Sequence, residues 1–491
     1  MTPQPEIVLE PSARAAATPR GLRRILGVGF GFAVIVGSTL GVGILRTPGL
    51  VAGQVSSPAI ILVIWLVGGL YTFLCAVCLA ELGTMYPEAG GYYVYARRAF
   101  GDTVGFAVGW TDWVTYCAVL GYVSIAVGEF SVVLMPALAG FARIVAIATL
   151  LGLVGLQLAG IRVSSRFQEW TTAVKFVAFV GVMVAALIFA PGLQATSAVS
   201  APASFVGLIV ALQSVVISYG GWQSALYFAE EDRDPDRNLP RSMVGGVVSV
   251  IAVYLLVNVA LLAVLPVADL ARSTLPAADA AQVLVGERGR QIITVLSIIS
   301  LPPMLNAIMM IGTRILFALG RDGLLWKRTA AVSAPGTPVI ALLLTTAVAV
   351  ALIATGTFQR LVAIVSFFLA ANYSVCCLAL VVERRRQPQR VRPFRAWGYP
   401  WSAGLVLAGA AVFMAGAVAG DTVNAGGALA LLFAGLGVRV AMQMSAPGPV
   451  MAPSFFRRRL EPYFAAVGCA RCGSFSDGRQ SRHCPPEAIE C

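Results

Sequence analysis

The chain of 491 residues is 58% hydrophobic and only 12% charged, a composition that excludes a soluble multidomain protein. Its net charge of +12 does not indicate nucleic-acid binding, because the arginines cluster in short loops between apolar segments, where positive charge sets membrane orientation. Apolar segments of roughly 20 residues recur, the length with which an α-helix crosses a hydrocarbon core, and they lack the alternating pattern of a β-barrel. The sequence therefore predicts an all-α polytopic membrane protein.

Apolar length, interrupted by Gly, Pro and charged residues, predicts about twelve transmembrane helices. The first follows a cluster of four arginines and is longer than the core of a signal peptide, so we interpret it as a retained span. The predicted spans lie near residues 25–50, 58–80, 103–135, 142–161, 167–190, 204–228, 243–265, 291–319, 338–355, 360–382, 400–418 and 424–444.

Basic residues concentrate in alternate loops, of which the most strongly basic is "ERRRQPQRVRPFR", from Glu383 to Arg395. Of the 35 Lys and Arg residues, about 27 fall on the side of both termini. Because such loops stay in the cytoplasm, we expect both termini there and the protein in the cell membrane. We divide the chain into a cytoplasmic N-terminal segment, 1–24, a membrane domain, 25–445, and a cytoplasmic tail, 446–491, that we expect to be disordered.

Two predicted spans are interrupted by glycine. The first span contains "VIVGSTLGVGILRTPG", residues 34–49, and the sixth contains the adjacent pair Gly220 and Gly221. Glycine costs up to about 1 kcal/mol in a helix interior, so each cluster needs a reason. A helix-packing face at Gly37 and Gly41, or a simple kink, would explain either cluster alone. Interruptions in the first and sixth spans together are typical of a five-plus-five inverted repeat whose binding site lies between the broken helices.

Broken helices of this kind suit a zwitterionic ligand. An unwound segment frees amide N–H groups at the N-terminus of a half-helix, a positive dipole end that attracts a carboxylate. It also frees carbonyl groups that accept hydrogen bonds from an ammonium. An amino acid carries both charges, so the two breaks predict an amino acid site.

Several motifs resemble the amino acid, polyamine and organocation superfamily, especially its L-type amino acid transporter branch and bacterial permeases. They are "VGSTLGVGILRTPGLVA", "ELGTMYPEAGGYYVYARRAFG", "GIRVSSRFQEWTTAVKF", "ISYGGWQSALYFAEEDRDPDRNLPRSM", "TRILFALGRDGLLWK" and "RPFRAWGYPW", and the resemblance covers residues 20 to about 445 in order. It implies a five-plus-five inverted repeat (LeuT-like) with repeats at about 25–190 and 204–382 and two extra helices at about 400–444. It also implies a secondary active transporter rather than an enzyme, with no cofactor.

The resemblance assigns the substrate groups to the backbone. Amides around Val42 and Gly43 would take the carboxylate, and carbonyls near Thr39, Ile217 and Gly220 would take the ammonium. The predicted substrate-binding residues are Thr39, Gly41, Val42, Gly43, Ile217, Ser218, Tyr219, Gly220, Gly221, Trp222 and Gln223.

The sequence departs from the L-type pattern where the substrate side chain would be read. Val42 replaces the family's usual serine, Leu45 an aromatic residue, Ile217 the gating phenylalanine and Gln223 an asparagine. Loss of a hydroxyl and of an aromatic lid favours small or medium neutral L-amino acids, moved by proton symport or exchange.

Two alternative functions remain open from the sequence. The chain could be a cationic amino acid or polyamine antiporter of the same superfamily, with Asp112 or Glu129 in the third span facing the cation. Asp112 matches an acidic position of relatives that is more often structural. Outside transport, the alternative is a membrane sensor.

Lys175 is the candidate coupling residue. The chain has only two lysines, and this one lies within the fifth predicted span, where a charge costs at least about 3 kcal/mol. Its stem could extend to the interface and keep the ammonium solvated. The resemblance offers another interpretation, because the equivalent lysine occupies the sodium position of sodium-coupled relatives. We therefore hypothesise that Lys175 titrates during proton-coupled uptake or acts as a fixed cation in an exchanger.

The tail contains Cys469-x-x-Cys472 with His483 and Cys484, which are metal-type ligands. Their spacing fits no known finger, and we expect a reduced tail without metal. A disulfide-linked partner subunit would need a cysteine in the loop after the third span, and "PALAGFAR" has none, so no such partner is expected. The expected partners are an amino acid, protons and the lipid bilayer, not nucleic acid.

Overall fold

The structure is a computed structural model that describes residues 22–189, 204–420 and 422–445. Most of the predicted N-terminal segment 1–24 and all of the tail 446–491, with its cysteines and His483, lie outside the described residues. The chain divides into two compact units after Arg439, and the described part of the second unit is the end of the last helix. No β-strand occurs in the described ranges, only an isolated bridge between Leu26 and Asp232.

Sixteen α-helices make up the described chain, together with three short 3-10 helices. The α-helices are α1 Val28–Thr39, α2 Val42–Gln54, α3 Pro58–Met85, α4 Tyr92–Phe100, α5 Asp102–Leu134, α6 Ala142–Leu158, α7 Ile161–Phe189, α8 Phe205–Ser218, α9 Pro235–Val264, α10 Val267–Arg272, α11 Pro276–Val285, α12 Glu287–Arg321, α13 Val339–Thr355, α14 Phe358–Arg386, α15 Trp401–Gly420 and α16 Thr422–Ser445. The 3-10 helices are Pro136–Phe141, Trp222–Glu231 and Lys327–Ala330.

The all-α polytopic architecture is confirmed. Within the described ranges, eight helical segments are long and apolar enough to cross a membrane, and the bent pair α1 and α2 forms a ninth span. The shorter apolar helices α13 and α15, and α8 with the 3-10 helix that follows it, occupy the remaining predicted spans. Several helices extend beyond the predicted limits; α9, for example, begins at Pro235 rather than near 243. Apolar length marks only the part in hydrocarbon, whereas polar residues continue the helix beyond it.

Both predicted interruptions are present, in the first and the sixth spans. Helix α1 ends at Thr39, α2 begins at Val42, and their axes differ by 41°. Helix α8 ends at Ser218, and the chain continues through Gly221 into the 3-10 helix. Gly221 has a φ of +120°, a conformation that residues with a Cβ rarely adopt, which explains glycine at this position.

Helix α5 reaches both interrupted spans through side chains, since Glu129 pairs with Arg46 of α2 and Asp112 accepts a hydrogen bond from Tyr227 of the second 3-10 helix. It packs against α12, α14, α4, α6 and α13, and most of its residues between Gly105 and Phe130 are buried. Helix α9 packs against α1 and α3. The two breaks are therefore enclosed by α5, α9, α12 and α14, whose side chains complete the site.

Candidate functional site

The two helix breaks are in direct contact. A Cβ on Gly43 would lie 2.9 Å from the Cα of Ser218, and a Cβ on Gly221 would lie 2.7 Å from Oγ1 of Thr39. Ser38 donates a hydrogen bond to the carbonyl oxygen of Gly221 at 3.0 Å. Glycine at positions 43 and 221 therefore lets the backbones of the two breaks approach each other more closely than any residue with a Cβ would allow.

The hydroxyl of one tyrosine joins the C-terminal ends of α1 and α8, the half-helices that precede the two breaks. The OH of Tyr254, on α9, lies 2.7 Å from the carbonyl oxygen of Thr39 and 2.9 Å from that of Ser218. These are the last residues of α1 and α8, where carbonyls lose their intrahelical partners. Tyr254 is fully buried and therefore holds the two breaks in a fixed relation.

The breaks border two cavities. The larger one, of about 100 Å³, is lined from the first break and α2 by Thr39, Val42, Gly43, Arg46, Thr47 and Leu50, from the sixth break and α8 by Ser214, Ile217, Ser218 and Gly220, and by Tyr122, Met304, Phe358 and Val362 from α5, α12 and α14. The smaller one, of about 40 Å³, shares Tyr122, Ile217, Gly220 and Met304 with it and adds polar groups, namely Ser38, Asp112, Thr115, Tyr116, Gly221, Gln223 and Ser224.

Backbone donors face the larger cavity. Helix α2 begins without a side-chain cap, and among the described residues no hydrogen bond engages the amides of Val42, Gly43 or Ile44. Leu45 is the first residue of α2 whose amide has a helical acceptor, the carbonyl of Gly41. Three free N–H groups at a helix N-terminus make an anion site, because the donors converge where the dipole is positive.

Backbone acceptors border the same cavity. Thr39 and Ile217 already have partners for their carbonyl oxygens, namely the Tyr254 hydroxyl and the amide of Gly220. The carbonyl oxygen of Gly220 accepts no hydrogen bond among the described residues. A carbonyl oxygen has two lone pairs, so all three can still accept from an ammonium.

Of the eleven residues predicted from the sequence, eight line the cavities. They are Thr39, Val42, Gly43, Ile217, Ser218, Gly220, Gly221 and Gln223. The other three lie outside the cavity walls. Gly41 packs against the sulfur of Met304, Tyr219 donates to the carbonyl oxygen of Trp65 at 3.1 Å, and the ring of Trp222 lies 5.5 Å from that of Tyr373.

The cavities also contain residues that the sequence did not single out. Tyr116 and Tyr122 of α5, Met304 of α12 and Phe358 of α14 line one or both. Tyr116 could have been noticed, because it lies one helical turn after Asp112 and shares its face. Met304 and Phe358 lie in apolar segments and carry no sequence signal that separates cavity from core.

Lys175 lies beside the first break rather than in either cavity. It is 5% exposed, and its Nζ donates to the carbonyl oxygens of Gly37 at 3.1 Å and Ser300 at 2.9 Å. The side chain forms no ion pair among the described residues. The structure therefore places the ammonium between α1, α7 and α12, where it stabilises two carbonyls.

Comparisons with known proteins identify the family of the chain. The family model described as amino acid permease matches residues 31–438. The serine/threonine exchanger SteT of Bacillus subtilis is 27% identical over 428 residues, which cover 86% of this chain and 98% of that protein. The b(0,+)-type amino acid transporter 1 of Mus musculus is 28% identical over 392 residues, 76% of this chain and 79% of its own.

A third relative, the large neutral amino acids transporter small subunit 2 of Homo sapiens, is 28% identical over 400 residues, 78% of this chain and 74% of its own. The family match extends from α1 into α16 and includes both helix breaks. These relatives are named as an exchanger and as amino acid transporters. The chain belongs to the amino acid permease family.

Proposed function

We propose that this protein moves small or medium neutral L-amino acids across the cell membrane by exchange or proton symport. One observation carries the proposal: free amides at the start of α2 and the free carbonyl of Gly220 border the same cavity. The α-carboxylate binds at Val42 and Gly43, and the α-ammonium binds at Gly220, Thr39 and Ile217. Both contacts use backbone atoms, so they recognise every amino acid alike.

Side-chain selection belongs to the smaller cavity. Its volume of about 40 Å³ holds only a few water molecules, so only a short substrate side chain would enter it. Gln223 donates from Nε2 to the hydroxyl of Tyr116 at 3.2 Å, so two polar groups face any side chain that enters. A short side chain with a hydroxyl fits this volume and polarity, and SteT is named for exchange of serine and threonine.

Both termini lie in the cytoplasm in our proposal, as the distribution of basic residues predicts. In this orientation α1 leads from the cytoplasm to the first break, and α2 continues to the outer surface. Arg46 and Phe358 then lie on the outer side of the larger cavity. Lys175, buried beside Gly37, is our candidate for coupling a proton or for acting as a fixed cation.

A cationic substrate is the second candidate. Asp112 lines the smaller cavity without a basic partner within ion-pair distance among the described residues, so it could receive a cationic side chain. The same carboxyl could instead receive a polyamine.

Uptake by purified protein in proteoliposomes tests both candidates. A panel of radiolabelled serine, threonine, alanine, leucine, lysine and putrescine is offered to vesicles with and without internal substrate, and with and without an inward proton gradient. We expect uptake of serine or threonine above that of lysine. Dependence on internal amino acid would identify an exchanger, and dependence on the gradient a symporter. Uptake of none of these compounds would contradict the proposal.

A further inference from the structure

Asp112 is an acid without a basic partner at the substrate cavity. Its side chain is on α5, the residue is 2% exposed, and it lines the smaller cavity. Oδ2 accepts a hydrogen bond from the hydroxyl of Tyr227 at 2.7 Å. No hydrogen bond to Oδ1 occurs among the described residues, which leaves one carboxyl oxygen for whatever occupies the cavity.

Two other deeply buried acids in the described ranges are neutralised by arginine. Glu231, which is 0% exposed, accepts from Nε and Nη2 of Arg314 at 2.9 and 3.2 Å. Glu81, also 0% exposed, accepts from Arg384 and Arg392. Asp112 has neither arginine, lysine nor histidine within ion-pair distance in the described ranges. Glu383 and Asp232 are also buried without an ion pair in the described ranges, but neither lines a cavity at the helix breaks. Asp112 is therefore distinguished by being a buried, unpaired acid that borders the substrate cavity.

The groups that surround Asp112 are uncharged at neutral pH. They are the hydroxyls of Tyr92 on α4, Tyr116 on α5, Tyr227 in the 3-10 helix and Tyr373 on α14, and the thiol of Cys376 on α14. From α12, the apolar Met304 and Ile308 line the same cavity. An ionised carboxylate in such surroundings is costly, so it needs either a proton or a cation from outside the protein.

A chain of hydrogen bonds links this face of α5 to the sixth break. Tyr116 follows Asp112 by one helical turn and accepts from Nε2 of Gln223 at 3.2 Å. Oε1 of Gln223 in turn accepts from the amide of Gly221 at 3.1 Å. The carboxyl, the substrate cavity and the interrupted backbone therefore form one polar unit, in which a change of charge at Asp112 alters the site that holds the substrate.

We propose that Asp112 is a proton-binding site of the substrate cavity, separate from Lys175, and that a proton occupies this carboxyl whenever a neutral amino acid with a side-chain hydroxyl, such as serine, is bound. The carboxylate takes up one proton at Oδ1, and the resulting O–H donates to the oxygen of the substrate's side chain. The proton leaves again when the substrate departs. This inference rests on the proposed transport of neutral amino acids and adds the group that reads their side chains.

Calorimetric titration of the purified full-length protein with L-serine tests the proposal. Titrations in phosphate and in Tris, whose ionisation enthalpies differ, give the number of protons taken up with the substrate. At a pH where Asp112 of the substrate-free protein is ionised, we expect about one proton to be taken up with each serine. The affinity for serine should then weaken by up to about tenfold for each unit by which the pH rises. Asp112→Asn, which is neutral at every pH and has the same shape, should bind serine without proton uptake.

Three further variants make the result specific. Asp102→Asn changes an exposed acid at the start of the same helix, where it pairs with Arg97, and should keep the linked proton. Asp112→Glu restores a carboxyl and should restore proton uptake even if the affinity falls. Lys175→Met removes the other ionisable candidate and should leave the proton linked to Asp112 in place.

The outcomes separate this inference from the proposed function. Serine binding with the same proton uptake in wild type and Asp112→Asn would overturn the role of Asp112 while leaving neutral amino acid transport intact. Loss of the linked proton in Lys175→Met but not in Asp112→Asn would overturn it as well. Failure of every neutral amino acid to bind the wild type would overturn the proposed function itself.

Discussion

Lys175 donates a hydrogen bond from Nζ to the carbonyl oxygen of Gly37 at 3.1 Å, which ties α7 to α1 close to the first helix break. A second bond, to Ser300 at 2.9 Å, extends the tie to α12. The carbonyl groups of an interrupted helix need such donors, since a buried acceptor without a partner costs about 1–3 kcal/mol. The ammonium of Lys175 therefore helps to hold the first helix break, and with it the proposed substrate site, in position.

Lys175→Met should reduce uptake in proteoliposomes at least about tenfold, because hydrogen bonds from a charged donor contribute about 1.5–3 kcal/mol. The aliphatic side chain keeps much of the packing and removes both bonds. Initial rates at several pH values measure the effect. They are taken at saturating amino acid, where the proton that is linked to binding at Asp112 does not limit the rate, and coupling through Lys175 predicts that the residual rate no longer depends on pH. Lys327→Met is the matched control, since it removes the only other lysine, which lies in a connecting 3-10 helix. Unchanged, pH-dependent uptake by Lys175→Met would show that the lysine is not the coupling group.

Gly43→Ala should abolish most uptake. The added Cβ would meet the Cα of Ser218 at 2.9 Å, so the first break would have to move away from the sixth. Because the contact is with backbone, no rotamer change relieves it, and the carboxylate donors move with α2. We expect a KM for the transported amino acid raised by about tenfold or more, as a displaced binding group typically costs over 1.4 kcal/mol.

Gly53→Ala is the control for that change. Gly53 lies in the same helix, and a Cβ there meets nothing within 4 Å. The variant should transport like the wild type. If Gly43→Ala also transported normally, the close approach of the two breaks would have no role in binding.

The interruptions of the first and sixth spans could be predicted from the sequence because glycine clusters oppose helix formation in otherwise apolar segments. Gly43 and Gly221 are where the pattern indicated, and both allow close backbone contact. The exclusion of Tyr219 and Trp222 from the cavity walls could not be predicted, because neighbours in an irregular segment share no periodicity. The direction of each side chain there is set by tertiary contacts, such as the hydroxyl of Tyr219 bonding to Trp65.

The helices that complete the site illustrate a second limit. Helix α5 is buried on nearly every face, so the face that borders the cavity does not differ in hydropathy from the faces that pack on protein. Asp112 and Tyr116 are polar and could be noticed, whereas Met304 and Phe358 look like ordinary core residues. The position of Arg46 at the cavity could not be predicted for a different reason, since an arginine near a helix end usually extends to the interface.

In the proposed orientation, the ion pair between Arg46 and Glu129 should close the outer side of the larger cavity. Arg46 lines that cavity, and its guanidinium carbon lies 4.5 Å from the ring centre of Phe358. Glu129→Gln removes the ionic bond, which in a partly exposed pair contributes about 0.2–1 kcal/mol. A cysteine placed at Thr47, which is buried and lines the same cavity, should then react up to about fivefold faster with a membrane-impermeant thiol reagent.

The control for this measurement is Thr47→Cys combined with Glu287→Gln, an exposed acid at the start of α12. Its labelling rate should equal that of Thr47→Cys alone, and labelling of the wild type gives the background from native cysteines. An external amino acid should slow labelling in every Thr47→Cys variant. Equal rates with and without Glu129 would exclude the ion pair as a closure of the cavity.

The buried pair of Glu231 and Arg314 predicts a large effect on stability. Both side chains are at most 1% exposed, and the guanidinium donates two hydrogen bonds to the carboxylate. Arg314→Met leaves Glu231 buried and without a cation, which destabilises proteins by about 3–5 kcal/mol. Glu231 ends the 3-10 helix that follows the sixth break, and its carbonyl also accepts the amides of Ile25 and Leu26, so the loss should loosen the region around that break.

Thermal unfolding of the purified variant in detergent measures this effect. We expect a clearly lower midpoint for Arg314→Met, whereas the double variant Glu231→Gln, Arg314→Met should recover much of the loss, because no buried charge then remains. Arg237→Met is the matched control, since Arg237 is 75% exposed in its side chain and its pair with Asp234 spans 3.9 Å. An equal midpoint for Arg314→Met and Arg237→Met would mean that Glu231 finds a proton or another partner when Arg314 is lost. Destabilisation that the second change relieves would identify the uncompensated carboxylate as its cause.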